Sequence, residues 1–321
     1  LQSLGETRKE CLLLERARGG EQLTVYVESG ANSTFGNFKQ PVYQPPILAA
    51  FNSEVWTAYW DLKALADMVD TRTVPLGWGA IEHGYALDRD DTRRARLLFG
   101  LNKAVDLFDV HRTDAATLAA SARRVSSALH PLYRAKANAS AQTIACLGHA
   151  HIDVAWLWPL AETVRKCGRT FSNAVGLMKK YPDYVFCQSQ PHLYEFARDR
   201  YPGVYREIKR RVKTGQWVPT GCTWVEMDCN VTGGESLVRQ VMFGTRFFRD
   251  EFGVEPDCLW LPDVFGYSAS LPQILRRSGV RRFLTQKISW NDTTSFPHHS
   301  FYWEGIDGSR VLSHFLPGND Y

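Results

Sequence analysis

Thr143-Ile-Ala-Cys-Leu-Gly-His-Ala-His-Ile-Asp-Val-Ala-Trp-Leu-Trp158 reads as a short strand that runs directly into polar chemistry. The apolar run Ile144 to Leu147 has the length and composition of a buried strand, and it is followed at once by His149, His151 and Asp153 and then by Trp156 and Trp158. In an extended segment residues two apart face the same side, so His151 and Asp153 can offer an imidazole nitrogen and a carboxylate oxygen to one cation. An isolated His-x-Asp arises readily by chance in a chain with nine histidines. The strand exit, the flanking Gly148 and His149 and the two tryptophans together favour a functional reading.

The surroundings are those of an ordinary globular chain. Its 321 residues, 44% hydrophobic and 22% charged, suffice for two domains or one large barrel. The formal net charge of +4 is spread among many acids and bases, and the run Lys209 to Arg211 sits among apolar helix positions, which suits a solvated face and argues against a nucleic-acid groove. The seven cysteines form no C-x-x-C pair, and Cys146, Cys187, Cys222 and Cys258 fall inside apolar strand-like runs, so they read as buried thiols of a reducing compartment. That usage outweighs four N-x-S/T tripeptides at Asn32, Asn138, Asn230 and Asn291. No apolar run is long enough to span a membrane.

The chain divides by rhythm. Residues 1–50 carry β-like alternation at Gln22 to Glu28 and loop punctuation from Gly30 to Pro46, predicting a small β-rich module. Residues 51–140 predict a helical connector of three helices, the first after Ser53, the second after the acid-rich stretch Asp88 to Asp91, the third from Asp114 to Leu129 before Pro131. Trp56 and Trp60 keep the apolar face of the first and are expected in its core. From 141 to 321 strands alternate with helices, with strands at Ile144–Leu147, Tyr184–Cys187, Trp217–Val225, Cys258–Leu261 and Phe283–Thr285. The intervening helices are expected at Leu160–Lys180, His192–Lys213, Glu235–Phe252 and Leu271–Ser278, and a hairpin turning at Asp307-Gly308 follows. The fold class is therefore α/β with a parallel sheet, whose functional residues gather where the strands end.

A second constellation leaves the Cys258 strand, Leu259-Trp-Leu-Pro-Asp263-Val-Phe-Gly-Tyr-Ser268. Alone, Asp263 reads as a helix cap or loop carboxylate, but strands of one parallel sheet end on one side, so it can meet His151 and Asp153. Gln286-Lys287 ends a third strand with a cation, and Trp224, Glu226 and Asp228 follow another.

The motifs H-A-H-I-D-V-A-W, W-V-E-M-D, L-P-D-V-F-G-Y-S and F-L-T-Q-K-I-S-W, in this order, resemble the α-mannosidases of glycoside hydrolase family 38, and the segment from Ser295 to Phe315 is similar to the cytosolic branch. The resemblance covers about Glu54 to Tyr321, and it implies a parallel β/α barrel-type catalytic domain, incomplete at its C-terminal end, after the small β-rich module and the helical connector. It implies a zinc-type divalent site, Zn2+ or Co2+, with His151, Asp153 and Asp263 as ligands, and Asp263 acting also as nucleophile. It implies that Trp156 supports the sugar ring, that Lys287 stands where other branches carry an arginine, and that Tyr321 contacts substrate. The expected activity is retaining hydrolysis of terminal α-linked mannose from oligosaccharides in the cytoplasm, with neither nucleic acid nor membrane as partner and homo-oligomerisation left open. A retaining glycosidase needs a second carboxyl about 5 to 5.5 Å from the nucleophile. The resemblance puts that group and a second metal histidine beyond the last motif, so this chain alone is expected to show little turnover. Asp228, Asp292 and Asp320 are acid candidates without motif support, and His149, His298, His299 and His314 are histidines expected to pack or hydrogen-bond. Two other classes remain open: another metal-dependent carbohydrate hydrolase such as a deacetylase, and a non-catalytic sugar-binding fragment using Trp156 and Trp224.

Overall fold

The computed structural model describes residues 12–27, 47–69, 92–112, 114–137, 139–141, 143–291 and 293–316. They belong to two compact units, one spanning Val42–Ile144 and the other holding everything from Ala145 onward. The first contains three helices, α1 (Ser53–Val69), α2 (Thr92–Val105) and α3 (Ala115–Tyr133). Asp114 caps α3 by accepting the Thr117 N–H at 2.9 Å, as its position before an apolar run predicts. The helix passes through Pro131, whose missing N–H falls in the last turns, where it costs little continuity. Ala58, Leu65, Leu101, Val125 and Leu129 form the helical core. Trp60 does not join it: it is 47% exposed and packs edge-on against Trp56 and Tyr59, because the buried face runs through Ala58 and Leu65.

The second unit alternates strands and helices. Its elements are β1 (Gly148–His149), α4 (Leu160–Lys180), β2 (Phe186–Gln188), α5 (Pro191–Arg200), α6 (Pro202–Lys213), β3 (Trp217–Pro219), α7 (Gly234–Phe252), β4 (Cys258–Leu261), α8 (Leu271–Arg277), β5 (Arg282–Thr285), β6 (Ser300–Glu304) and β7 (Arg310–Phe315). β1, β2 and β3 form one parallel sheet. β4, β5 and β7 form a second, also parallel, to which β6 adds antiparallel through the hairpin. The expected barrel is thus found as two open sheets among the described residues, with no ladder joining β3 to β4. The sheets nonetheless meet side by side. The His149 ring of β1 lies 4.1 Å from the Trp260 ring of β4, and a Cβ at Gly221, just past β3, would come 3.9 Å from the Trp260 carbonyl oxygen.

Several local expectations need correction. The apolar run at 144–147 precedes the ladder instead of forming it, with Ile144 81% and Leu147 60% exposed, and pairing begins only at Gly148. The expected helix from His192 to Lys213 is two helices, because Pro202 cannot donate to a continuing ladder and opens α6. β3 stops at Pro219, before Gly221 takes a positive φ of 70°. The described parts of the N-terminal module, residues 12–27 and 47–50, hold no strand, and Val25, Tyr26 and Val27 are exposed. Residues 1–11 and 28–46 of that module lie outside the described residues, as do Asp88 to Asp91 and Asn138.

Two apolar clusters hold the strands in place. One packs α4, α5 and α6 on β2 and β3 through Phe171, Leu193, Tyr194, Ile208, Trp217 and Phe248. Its polar atoms are matched in a relay: Trp217 Nε1 donates to Tyr194 Oη at 2.9 Å, which donates to the Gln188 carbonyl at 2.8 Å. The other packs α7 and α8 on β4, β5 and β7 through Leu237, Val241, Leu259, Leu261, Leu275 and Phe283. Helix α7 serves both, contributing Phe248 to the first cluster and Leu237 and Val241 to the second. Its close approach needs Gly244, where an added Cβ would fall 2.3 Å from the Cys222 carbonyl oxygen and 2.6 Å from the Thr223 carbonyl carbon. Gly176, on the exposed side of α4, has open space around it. Gly244→Ala is therefore expected to destabilise by about 1–3 kcal/mol through overpacking. Gly176→Ala should stabilise by about 0.5–1 kcal/mol. Urea unfolding of both variants checks the pair, and equal effects would show that α7 does not sit this close.

Candidate metal centre

The strand ends bring together His151 and Asp153, just past β1, with Asp263, two residues past β4. One donor atom from each lies within 4.8 Å of the others. His151 Nε2 is the hub, 3.0 Å from Asp153 Oδ1 and 3.3 Å from Asp263 Oδ2. The other ring nitrogen, Nδ1, is 2.5 Å from Glu226 Oε2. One imidazole thus touches three carboxylates, and although burial opposes its charge, hydrogen bonds to Asp153, Asp263 and Glu226 outweigh burial and raise His151 to about 12.

This donor set fits a divalent cation. An imidazole nitrogen with two carboxylate oxygens is the ligand chemistry of zinc and similar ions. A ring whose far nitrogen faces a buried carboxylate has the outer arrangement usual for metal-bound histidine. With a cation among Nε2 and the two aspartates, the imidazole would serve as a neutral donor and the surplus negative charge would be matched.

Each expected site residue has a distinct place. Asp263 divides its oxygens between two neighbours: Oδ2 faces His151, and Oδ1 is 3.0 Å from Lys287 Nζ. Lys287 is buried, opens a short 3-10 turn after β5, and its ammonium lies 3.6 Å from the centre of the Trp290 ring and 5.2 Å from that of Phe265. Trp156 is 49% exposed and stands edge-on to Trp158, their centroids 5.6 Å apart. Trp158 Nε1 donates to Thr163 Oγ1 at 3.0 Å, and that hydroxyl donates to the Asp153 carbonyl at 2.8 Å, so the first turn of α4 anchors the loop carrying both. Tyr321 lies outside the described residues, as do Asp292 and Asp320. Asp228 is occupied as a loop cap, its Oδ1 accepting the N–H groups of Asn230 and Val231, both at 2.8 Å.

The remaining histidines stand apart from the donor group. His149 Nδ1 is 3.0 Å from the Cys187 carbonyl, and burial pushes its pKa down. His314 Nδ1 is 2.7 Å from Ser300 Oγ on the hairpin, and His298 and His299 are exposed. Trp224, considered as a sugar platform, packs instead against His192 and Phe247. The residue to which the sequence assigned no role is Glu226: it was visible only as a carboxylate following a strand, and its partner sits in a different β/α unit.

The donors stand where parallel strands of an α/β unit end, and residues 141–321 match the model of the glycosyl hydrolases family 38 N-terminal domain. The chain belongs to glycosyl hydrolase family 38. Alpha-mannosidase 2C1 of Homo sapiens is 40% identical over 315 residues, 95% of this chain and 28% of the relative. Alpha-mannosidase G of Dictyostelium discoideum is 36% identical over 327 residues, 98% of this chain and 28% of the relative. An alpha-mannosidase of Saccharomyces cerevisiae is 47% identical over 176 residues, 54% of this chain and 16% of the relative. The chain therefore spans less than a third of the length of these relatives. Among the described residues, no helix is long and apolar enough to cross a membrane.

The buried Lys287 pair gives a stability prediction. Lys287→Met leaves Asp263 facing the remaining acids without its ammonium, and the metal-free chain should lose about 1–3 kcal/mol, discounted for the partial exposure of Asp263. The midpoint of urea unfolding reads this directly. An unchanged midpoint would mean the pair contributes nothing net.

Proposed function

We propose that the protein is a retaining α-mannosidase that removes terminal α-linked mannose from oligosaccharides in the cytoplasm. The observation that carries this reading is the convergence at Asp263: a strand-end carboxylate with one oxygen on the metal-type cluster and the other on a buried lysine. The names of the relatives support the substrate class. His151, Asp153 and Asp263 would hold the cation, zinc or cobalt. When bound, that cation supplies Lewis-acid grip on sugar hydroxyls.

The chain's own residues do the rest. Asp263, flanked by Lys287, attacks the anomeric carbon as a carboxylate, forming a C–O bond as the bond to the leaving oxygen breaks. A carboxylic acid elsewhere in the protein delivers the leaving group's proton. The same group, as carboxylate, then takes a proton from the water that releases mannose. Lys287, fixed over Trp290, orients Oδ1 of Asp263 and presents positive charge beside the reacting centre. Trp156 offers an exposed aromatic face on which the apolar face of a sugar ring can rest, and Trp158 and Thr163 hold that face beside the donors.

Release of nitrophenol from an aryl α-mannoside by the full-length protein tests the reading. Chelation should abolish activity and added zinc or cobalt should restore it, Asp263→Ala should lower kcat by roughly 10³-fold or more, and a slow fluorinated mannoside should leave a sugar covalently attached to Asp263. Hydrolysis that persists through both chelation and Asp263→Ala would overturn the proposal, and turnover without any sugar adduct would favour a deacetylase-like hydrolase.

A further inference from the structure

We infer that Glu226 is the positioning carboxylate of the metal centre and that Gln190 is the residue that locks it in register with His151; the inference rests on the metal reading above. The Glu226 side chain is 3% exposed, and its two oxygens have separate tasks. Oε2 lies 2.5 Å from His151 Nδ1. Oε1 accepts from Ser189 Oγ at 2.8 Å and from Gln190 Nε2 at 3.3 Å. A buried carboxylate held on Oε1 by Ser189 and Gln190, with Oε2 pressed against the imidazole, has no freedom to swing toward a substrate, so it acts through the histidine.

Gln190 ties both sides of the arrangement together. Its Nε2 donates to the carbonyl of Ile152 at 2.9 Å, the residue between His151 and Asp153. Its Oε1 accepts the backbone N–H of Glu226 at 3.2 Å. One buried amide therefore fixes the backbone carrying two metal donors against the backbone carrying the carboxylate behind them. The residue adopts φ 62° and ψ 84°, and among the described residues it is the one non-glycine residue with positive φ. A left-handed conformation is strained for a glutamine and persists where the surroundings over-determine it. Here those surroundings are the four hydrogen bonds of the Gln190, Ser189 and Glu226 clamp.

The chemical consequence is a defined tautomer. A carboxylate on Nδ1 keeps the proton of a neutral imidazole there, so the lone pair sits on Nε2 and points at Asp153 and Asp263. Removing the carboxylate releases both the ring orientation and this bias. A network that merely braces two loops would affect folding of the metal-free protein without a specific effect on metal affinity, and this separates the two roles.

Zinc affinity of the full-length protein, measured by competition with a chromophoric chelator, tests the inference alongside thermal unfolding of the metal-free form. Glu226→Gln should bind zinc 10- to 100-fold more weakly, with the metal-free melting temperature close to wild type, and Glu226→Asp should recover part of the affinity. Wild-type affinity in Glu226→Gln would overturn the inference while leaving the metal reading intact. Failure of the wild-type protein to bind zinc would overturn the metal reading and this inference with it. Should Glu226→Gln fail to fold, Ser189→Ala removes only one hydrogen bond from Oε1 and should weaken zinc binding about 3- to 10-fold; unchanged affinity there would equally overturn the positioning role.

Discussion

Three carboxylates crowding one imidazole form an arrangement that only positive charge can hold together, and the α/β unit is arranged to supply it. Asp153, Asp263 and Glu226 converge on His151, and their hydrogen bonds raise its pKa to about 12 against the effect of burial. Lys287 places its ammonium 3.0 Å from the other oxygen of Asp263. The donor identities suit a divalent cation better than a proton, because two oxygens and a nitrogen facing one point leave room for a shared ligand rather than a chain of hydrogen bonds.

That convergence depends on two sheets whose strands end at one place. β1 delivers His151 and Asp153, β4 delivers Asp263, β5 delivers Lys287, and the segment after β3 delivers Glu226. The sheets touch through His149 and Trp260, with no backbone ladder between β3 and β4, so their relative position rests on side-chain packing and on α7, which contributes to both cores. Precision at the site is thereby inherited from the core: the aromatic cluster of Phe171, Tyr194, Trp217 and Phe248 sets β2 and β3, and the aliphatic cluster of Leu237, Val241, Leu259 and Leu261 sets β4. Local hydrogen bonds then finish the placement, Thr163 to the Asp153 carbonyl and Gln190 to the Ile152 carbonyl.

The extent to which this was legible in the sequence follows from how local each signal is. Helix α4 and strand β4 have the limits their periodicity predicts, Leu160–Lys180 and Cys258–Leu261, because amphipathic spacing and an apolar run bounded by polar residues are local facts. His151, Asp153 and Asp263 were legible as a group for a related reason: parallel strands end on one side, so residues that follow strands share a surface. The apolar run at 144–147 misled because hydrophobicity reports a tendency to be covered and does not name a hydrogen-bonding partner, and within the described residues Ile144 and Leu147 stay exposed. The alternation read over Gln22 to Glu28 failed for the same reason, since the described residues 12–27 form no strand. Glu226 escaped because its role is set by the distance between two strand ends, a non-local quantity that no spacing along the chain encodes.

The central claim is that one divalent cation occupies the point shared by His151, Asp153 and Asp263. Crystals of the zinc-loaded protein, with diffraction data collected on either side of the zinc absorption edge, locate it independently of any activity. The account predicts a single anomalous peak about 2.0–2.2 Å from His151 Nε2 and from an oxygen of each aspartate, with Glu226 on Nδ1. A peak at any other cluster, or none at this one in fully loaded protein, would contradict it.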